Sequence, residues 1–309
     1  MTRILENTRF CESRRRAQSG VALLQVLLIS TVISLLALSL TFSARDQVDI
    51  ALQFENRVKA QLKAESAINI ALFVQLSESA VSFDPLGVVD FTHLKGLHNL
   101  YGDLQQWDEN TAVVAQDMNG LLPQIYPSHF LWDYLLLSLS FGDVEVRELM
   151  GVWSDAIDKD SESWLRGDRE PVSLPNGKLI ENDFPQTDHL VSWVFFEYPK
   201  IIESIKSTSH VLGSYDINLL NAPEFLIRKL FDPSIAEQIL AIRKAGNVMD
   251  ADLNAILPNG FLAEEIYIHD SATRKISATS SHGGARITIS KIFYLNPQSE
   301  PPFSVILVE

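Results

Sequence analysis

Six carboxylates crowd into the stretch from Asp155 to Glu170: Asp155, Asp158, Asp160, Glu162, Asp168 and Glu170. Within it, Asp158-x-Asp160-x-Glu162 sets alternate oxygens on one side of an extended loop, the arrangement that hard cations such as calcium use. The Gly and the closing Glu of an EF-hand loop are absent, and a solvated acidic loop has the same composition. Little else in the chain invites chemistry. The histidines at 93, 98, 129, 189, 210, 269 and 282 have no ligand spacing. Cys11 is the single cysteine, so the chain can form neither an internal disulfide nor a thiolate metal cluster. GxSxG, HExxH, P-loop and GxGxxG patterns are all missing, and nothing points to an enzyme. The 5 Trp and 16 Phe read as core residues.

Nucleic acid is also disfavoured as a partner. The net charge is −14, from 25 Lys+Arg against 39 Asp+Glu, whereas a phosphate-binding face needs excess cation. The pattern from Pro223 to Asp250 does suggest two helices around the hairpin Phe231-Asp232-Pro233-Ser234. At the place where a DNA-binding hairpin offers amides to a phosphate, Asp232 brings negative charge and Pro233 lacks the donor. That segment therefore has a packing or protein-contact role.

The elements that must carry these residues begin with a basic N-terminus. Arg3, Arg9, Arg14, Arg15 and Arg16 outweigh Glu6 and Glu12. From Val21 to Ala44 there is no charge, and Leu, Ile, Val and Ala dominate. About 24 residues at ~1.5 Å each span ~36 Å, enough for a bilayer core of ~30 Å. The arginines before this run favour a cytoplasmic N-terminus and export of the chain beyond the apolar run. From Val21 to Asp84 there is neither Gly nor Pro, so one long helix is expected, ending near Pro85 and Gly87. Beyond the apolar run the pairs Val48/Leu52, Val58/Leu62 and Ile68/Leu72 alternate with charges, an amphipathic stripe that drifts around the helix and suits several neighbours.

A secretory signal has a shorter apolar core, with its cleavage site after it. Here Arg14-Arg15-Arg16-Ala17-Gln18-Ser19-Gly20 followed by Val21-Ala22-Leu23-Leu24 resembles a prepilin leader. The resemblance implies cutting between Gly20 and Val21 by a prepilin peptidase, methylation of the new amine, and retention of the apolar helix. A small glycine suits a tight protease groove. Counting from Val21, the fifth residue is Gln25, where most pilins carry Glu. A charge there is costly in lipid unless it meets a neighbour's amine, and Gln25 cannot neutralise one.

The K-type minor pseudopilins of type II secretion lack that Glu too, and further stretches resemble them. Ala44-Arg45-Asp46 and Ala64-Glu65-Ser66-Ala67-Ile68-Asn69-Ile70-Ala71-Leu72 are similar to that family's helix. Asp117-Met118-Asn119-Gly120-Leu121-Leu122 resembles its strand and turn, and Trp153 to Asp160 its Asp-rich segment. Ile217-Asn218-Leu219-Leu220-Asn221-Ala222-Pro223 is close to its I-N-x-N-T-A, with Thr missing and one Leu inserted. The resemblance implies a minor pseudopilin at the pseudopilus tip, partnered by the I and J subunits. It implies a single pass through the cell inner membrane, a C-terminal domain in the periplasm, and calcium in the acidic stretch Asp158, Asp160, Glu162, Asp168 and Glu170.

An α+β chain is therefore expected, a pilin-like antiparallel sheet interrupted by a large helical insertion. The divisions are a leader at 1–20, a spine helix at 21–84 with its transmembrane part at 21–44, and a first sheet portion at 85–126. A helical insertion at 127–271 and returning strands at 272–309 complete the chain. Helices are expected around Phe130–Ser140, Glu145–Asp158 and His189–Ile205. Strands are expected at Thr111–Ala115, Arg286–Tyr294 and Phe303–Val308. Two alternatives share the N-terminal features: a minor pilin of a type IV or DNA-uptake pilus, and a plain single-span membrane protein with a periplasmic enzyme domain.

Overall fold

A computed structural model of the protein describes residues 6–81, 99–125, 127–160, 162–164, 189–212, 217–246, 250–257, 266–267, 269–296 and 298–308. Helix α1 runs Glu6–Val81 without a break, as the lack of Gly and Pro after Val21 dictates. Pro85 and Gly87, expected to close it, lie outside the described residues. The chain divides into two compact units, 1–59 with 282–285, and 60–281 with 286–309.

In the first unit every residue from Val21 to Glu55 is exposed. Lys59 and Glu55 pair at 2.6 Å one helical turn apart, and the Asn56 amide donates to the Gly283 carbonyl at 3.1 Å.

The second unit carries the sheet and the helices. Strands β1 (Tyr101–Asp108) and β2 (Thr111–Asp117) form a hairpin, and β2 leads through a single 3-10 turn at Met118–Gly120 to β3 (Leu122–Pro123). Helices α2 (His129–Ser138), α3 (Asp143–Ile157), α4 (His189–Val194) and α5 (Pro199–Thr208) follow, then β4 (Ser209–His210) and β5 (Ile217–Asn218). Next come α6 (Glu224–Leu230), α7 (Pro233–Ala245), α8 (Asp250–Ile256) and β6 (Ile266–Tyr267). The chain returns to the sheet as β7 (Thr273–His282), β8 (Ala285–Leu295) and β9 (Phe303–Val308). Strand order in the sheet is β1-β2-β7-β8-β9. The α+β plan is the expected one, a sheet whose strands separate to admit a block of helices. Gly283 and Gly284 join β7 to β8 with φ of 53° and 86°, the left-handed pair that a two-residue hairpin turn requires.

Local chemistry accounts for the helix limits. Gly142 starts α3, where its amide donates to the Glu145 carboxylate at 2.9 Å. Pro199 and Pro233 open α5 and α7, positions where the missing amide costs nothing. Pro199 also divides the apolar stretch His189–Ile205, expected as one helical region, into two helices. Gly246 closes α7 in the left-handed conformation at φ 79°. Two parallel ladders, β3 with β4 and β5 with β6, lie within or beside the helical block. Each strand is two residues long, too short for alternation to announce it.

Two main cores form. One joins α1 to the sheet: Ala64, Ala67, Ile68, Ala71, Leu72 and Val74 against Val113, Ala115, Ile276, Ala278 and Phe293. The other lies inside the helical block around Trp132, Trp153 and Phe195, with Trp132 and Trp153 rings 4.5 Å apart. Of the three apolar pairs on α1, only Ile68/Leu72 is buried; Val48, Leu52 and Leu62 are 58%, 50% and 60% exposed. The buried face is mainly a stripe of alanines from Ala60 to Ala71, whose small side chains let the helix axis approach the sheet.

Candidate functional site: spine surface, sheet–insert junction and acidic loop

Gly20 and Val21 both lie inside α1, and Gln25 is an exposed residue within its apolar run. Gly20 is the weak point of the helix there, since glycine costs about 1 kcal/mol relative to Ala. The apolar stretch of α1 is not buried, and this helix is long and apolar enough to cross a membrane. Its hydroxyls suit such a setting. Ser30 and Thr31 donate to the Leu27 carbonyl at 2.9 and 2.7 Å, and Thr41 donates to the Ala37 carbonyl at 2.8 Å. None needs water to satisfy its proton.

The two stretches Asp117–Leu122 and Ile217–Pro223, 104 residues apart where they touch, meet at the base of the helical block. Asp117 is fully buried at the end of β2. One of its oxygens accepts from the Asn119 amide at 3.0 Å and from the Ser271 hydroxyl. The other accepts from Asn221 Nδ2 at 2.6 Å and from the Ser271 amide at 3.1 Å. Asn221 Nδ2 also donates to Asp270 at 2.8 Å, and Gln116 Nε2 donates to the Asn221 carbonyl at 2.9 Å. A Cβ on Gly120 would press into that same carbonyl, so the turn needs glycine. Arg243 reaches in from α7, donating to the Ala222 carbonyl at 2.7 Å with its guanidinium 4.4 Å from the Tyr101 ring centroid. Burial lowers its pKa from the usual arginine value. These contacts pin the entry and exit of the insertion to the sheet. The sequence drew attention to both stretches, but nothing in their spacing paired them.

The acidic stretch follows α3. Asp155 is buried, its oxygens accepting from the Ser163 hydroxyl at 3.2 Å and the Trp164 amide at 2.7 Å. Asp158 caps the end of α3, and Asp160 and Glu162 are exposed, with the Glu162 amide donating to Asp160 at 2.7 Å. Among the described residues no group of three or more His, Cys, Asp or Glu is arranged to hold a metal ion. Calcium takes about 6–8 oxygens, and the described carboxylates do not supply them together. Asp168 and Glu170 lie outside the described residues. Beside this loop the His129 ring stacks on Trp164 at 4.7 Å, and His129 Nε2 is 3.4 Å from Ser154 Oγ. Ser154 is 9% exposed and sits within α3, where a helix offers no free amides to a developing oxyanion.

No family model and no curated protein matches the sequence. Among solved structures, the chain is similar to one chain in the crystal structure of the GspK–GspI–GspJ complex from the type 2 secretion system of enterotoxigenic Escherichia coli. The TM-score is 0.54 at 14% identity, over 85% of this chain and 98% of that chain. With its long apolar N-terminal helix, antiparallel sheet and helical insertion, the chain has a pseudopilin-like fold.

Proposed function

We propose that the protein is a minor pseudopilin of the K type, a structural tip or initiator subunit of a type II secretion pseudopilus. Prepilin peptidase would cut it between Gly20 and Val21. The apolar part of α1 would sit in the inner membrane, with the sheet and helices in the periplasm and the I and J pseudopilins as partners. One observation carries this reading. The apolar run Val21–Ala44 already exceeds a bilayer at ~1.5 Å per residue, yet exposed apolar side chains continue past it. Val48, Ile50, Leu52 and Phe54 are 58%, 64%, 50% and 68% exposed. Lipid reaches the first set and not the second, and neighbouring spine helices supply the missing cover. The likeness in fold to a chain of the GspK–GspI–GspJ complex supports the same partners. Gln25, unable to neutralise a neighbour's amine, suits a subunit with neighbours on one side only.

Co-expression of the full chain with I and J subunits, followed by native mass spectrometry, tests the reading. A heterotrimer whose K-type chain begins at an N-methylated Val21 is expected. A fibre of this chain alone, or a mature protein that retains Met1, overturns it. Calcium in the acidic stretch of Asp158, Asp160, Glu162, Asp168 and Glu170 stays a separate proposal.

A further inference from the structure

We propose that Gln75 on α1 is a positioning residue, which sets through Arg274 and Asp270 how tightly the helical insertion is held at Asn221. The proposal concerns this chain by itself and holds whether or not the chain caps a fibre.

Buried polar groups are nearly always paired, so an unpaired one marks a place where stability has been given up. Gln75 is 4% exposed and lies among the buried Leu72 and Val74, on the face that α1 turns to the sheet. Its Oε1 accepts from Arg274 Nη1 at 3.4 Å, a long bond, and its Nε2 has no partner among the described residues. Arg274 is incomplete in the same way. Its Nη2 reaches Asp270 at 3.2 Å, while its buried Nε has no partner among the described residues. Turning the Gln75 amide over gives no relief, since that would aim a donor at the guanidinium. A hydrocarbon side chain at position 75 would bury no unpaired donor. The glutamine is therefore explained by what it holds and not by what it stabilises.

What it holds leads into the insertion. Strand β7 sets Arg274 opposite Asp117 of β2, at the end of the sheet where the insertion begins and ends. The Arg274 side chain is 11% exposed, fixed between Gln75 on one side and Asp270 on the other. Asp270 divides its oxygens, Oδ2 to Arg274 and Oδ1 to Asn221 Nδ2 at 2.8 Å. Asn221 belongs to the turn before α6, where its amide donates to the Asn218 carbonyl at 3.0 Å and that of Ala222 to Leu219 at 3.4 Å. A line of contacts thus runs from α1 through the sheet to that turn. Its weakest member is the first one, where both partners keep an unpaired donor. Without Gln75 the guanidinium can follow Asp270, a half-exposed carboxylate, toward water, and Asn221 Nδ2 keeps only Asp117. Asp117 already accepts four hydrogen bonds, so it cannot take up the slack.

Hydrogen exchange resolved to single amides, on the full chain in detergent, tests this together with a thermal melt. Gln75→Leu should keep the melting temperature within about 3 °C of the parent value. The amides of Asn221, Ala222 and Ser271 should meanwhile exchange roughly tenfold faster, the effect of losing about one hydrogen bond to a charged group. Gln75→Glu puts an acceptor where the unpaired donor stands and should slow the same amides by a similar factor. It also covers the case in which Gln75→Leu fails to fold. Ile68→Val weakens the same core of α1 and leaves Gln75 and Arg274 in place. It should lower the melting temperature without changing those three amides. Unchanged exchange in a folded Gln75→Leu, exchange not slowed in Gln75→Glu, or the same local response from Ile68→Val would each overturn the proposal.

Discussion

Replacing Asp117 with Ala tests whether the junction holds the insertion to the sheet. The carboxylate accepts four hydrogen bonds, and removing it affects the donors unequally. Asn221 Nδ2 keeps Asp270 at 2.8 Å, and the Ser271 hydroxyl can turn to the Thr273 carbonyl at 2.7 Å. The amides of Asn119 and Ser271 lose the acceptor they have at 3.0 and 3.1 Å. A buried donor without a partner costs about 1–3 kcal/mol, and two give roughly 2–6 kcal/mol. The upper part of that range is offset by no longer burying a carboxylate, so about 3–4 kcal/mol is expected. At about 2–4 °C per kcal/mol for a domain of this size, the melting temperature should fall by roughly 6–16 °C. The assay is a thermal melt followed by circular dichroism on the full chain in detergent. Asp270→Ala, at a half-exposed carboxylate of the same network, serves as the comparison and should cost under about 1 kcal/mol. If Asp117→Ala melts together with Asp270→Ala, the network does not hold the insertion.

Gly120→Ala should destabilise by about 1–3 kcal/mol, because the new Cβ meets the backbone of Asn221 and no rotamer can relieve it; an unchanged melt argues against the close approach. Burial lowers the His210 pKa from 6.5 to about 4. Its neutral form is therefore favoured on folding, and its contribution is full above pH 6.5 and lost as pH falls toward 4. Roughly 3 kcal/mol of pH dependence over that window should vanish in His210→Gln, read from denaturation at several pH values, and an unaltered profile refutes the burial. Calcium should raise the melting temperature, and Asp158→Asn/Asp160→Asn should shrink that increment. A chelator that leaves the melt unmoved reduces the stretch to a solvated loop.

The long helix was legible because its signal is an absence, no Gly or Pro from Val21 to Asp84, which local sequence states without tertiary help. Strands β8 and β9 were legible through alternation and the flanking prolines. The buried face of α1 was not. Apolar periodicity directs attention to Val48, Leu52 and Leu62, which are exposed, while Ala60, Ala64, Ala67 and Ala71 form the contact. Alanine carries little hydropathy, and its value there lies in what it omits. The two-residue ladders fell below the length at which a period can be read.

The junction also explains why a polar contact joins parts that each have an apolar core. The insertion packs around Trp132, Trp153 and Phe195, and the sheet packs on α1 through Ile68, Ala71 and Phe293, as separate clusters. Apolar contact is non-directional, so a greasy seam between two such bodies would allow them to slide. Hydrogen bonds to one buried carboxylate are directional, and in a low-dielectric setting they are strong when satisfied and costly when not. Asp117 thereby fixes one angle between sheet and insertion at the point where the chain leaves the sheet and where it returns, at Ser271. For the minor pseudopilin proposed above, which would present a bulky domain to fixed partners, that angle matters more than extra stability. Conservative substitution at Asp117 should therefore disturb partner assembly at temperatures where the chain remains folded. Asp117→Asn, which keeps the shape but turns a donor toward other donors, should lose the heterotrimer well below its own melting temperature. Assembly that persists up to the melt would mean that the apolar cores set the angle after all.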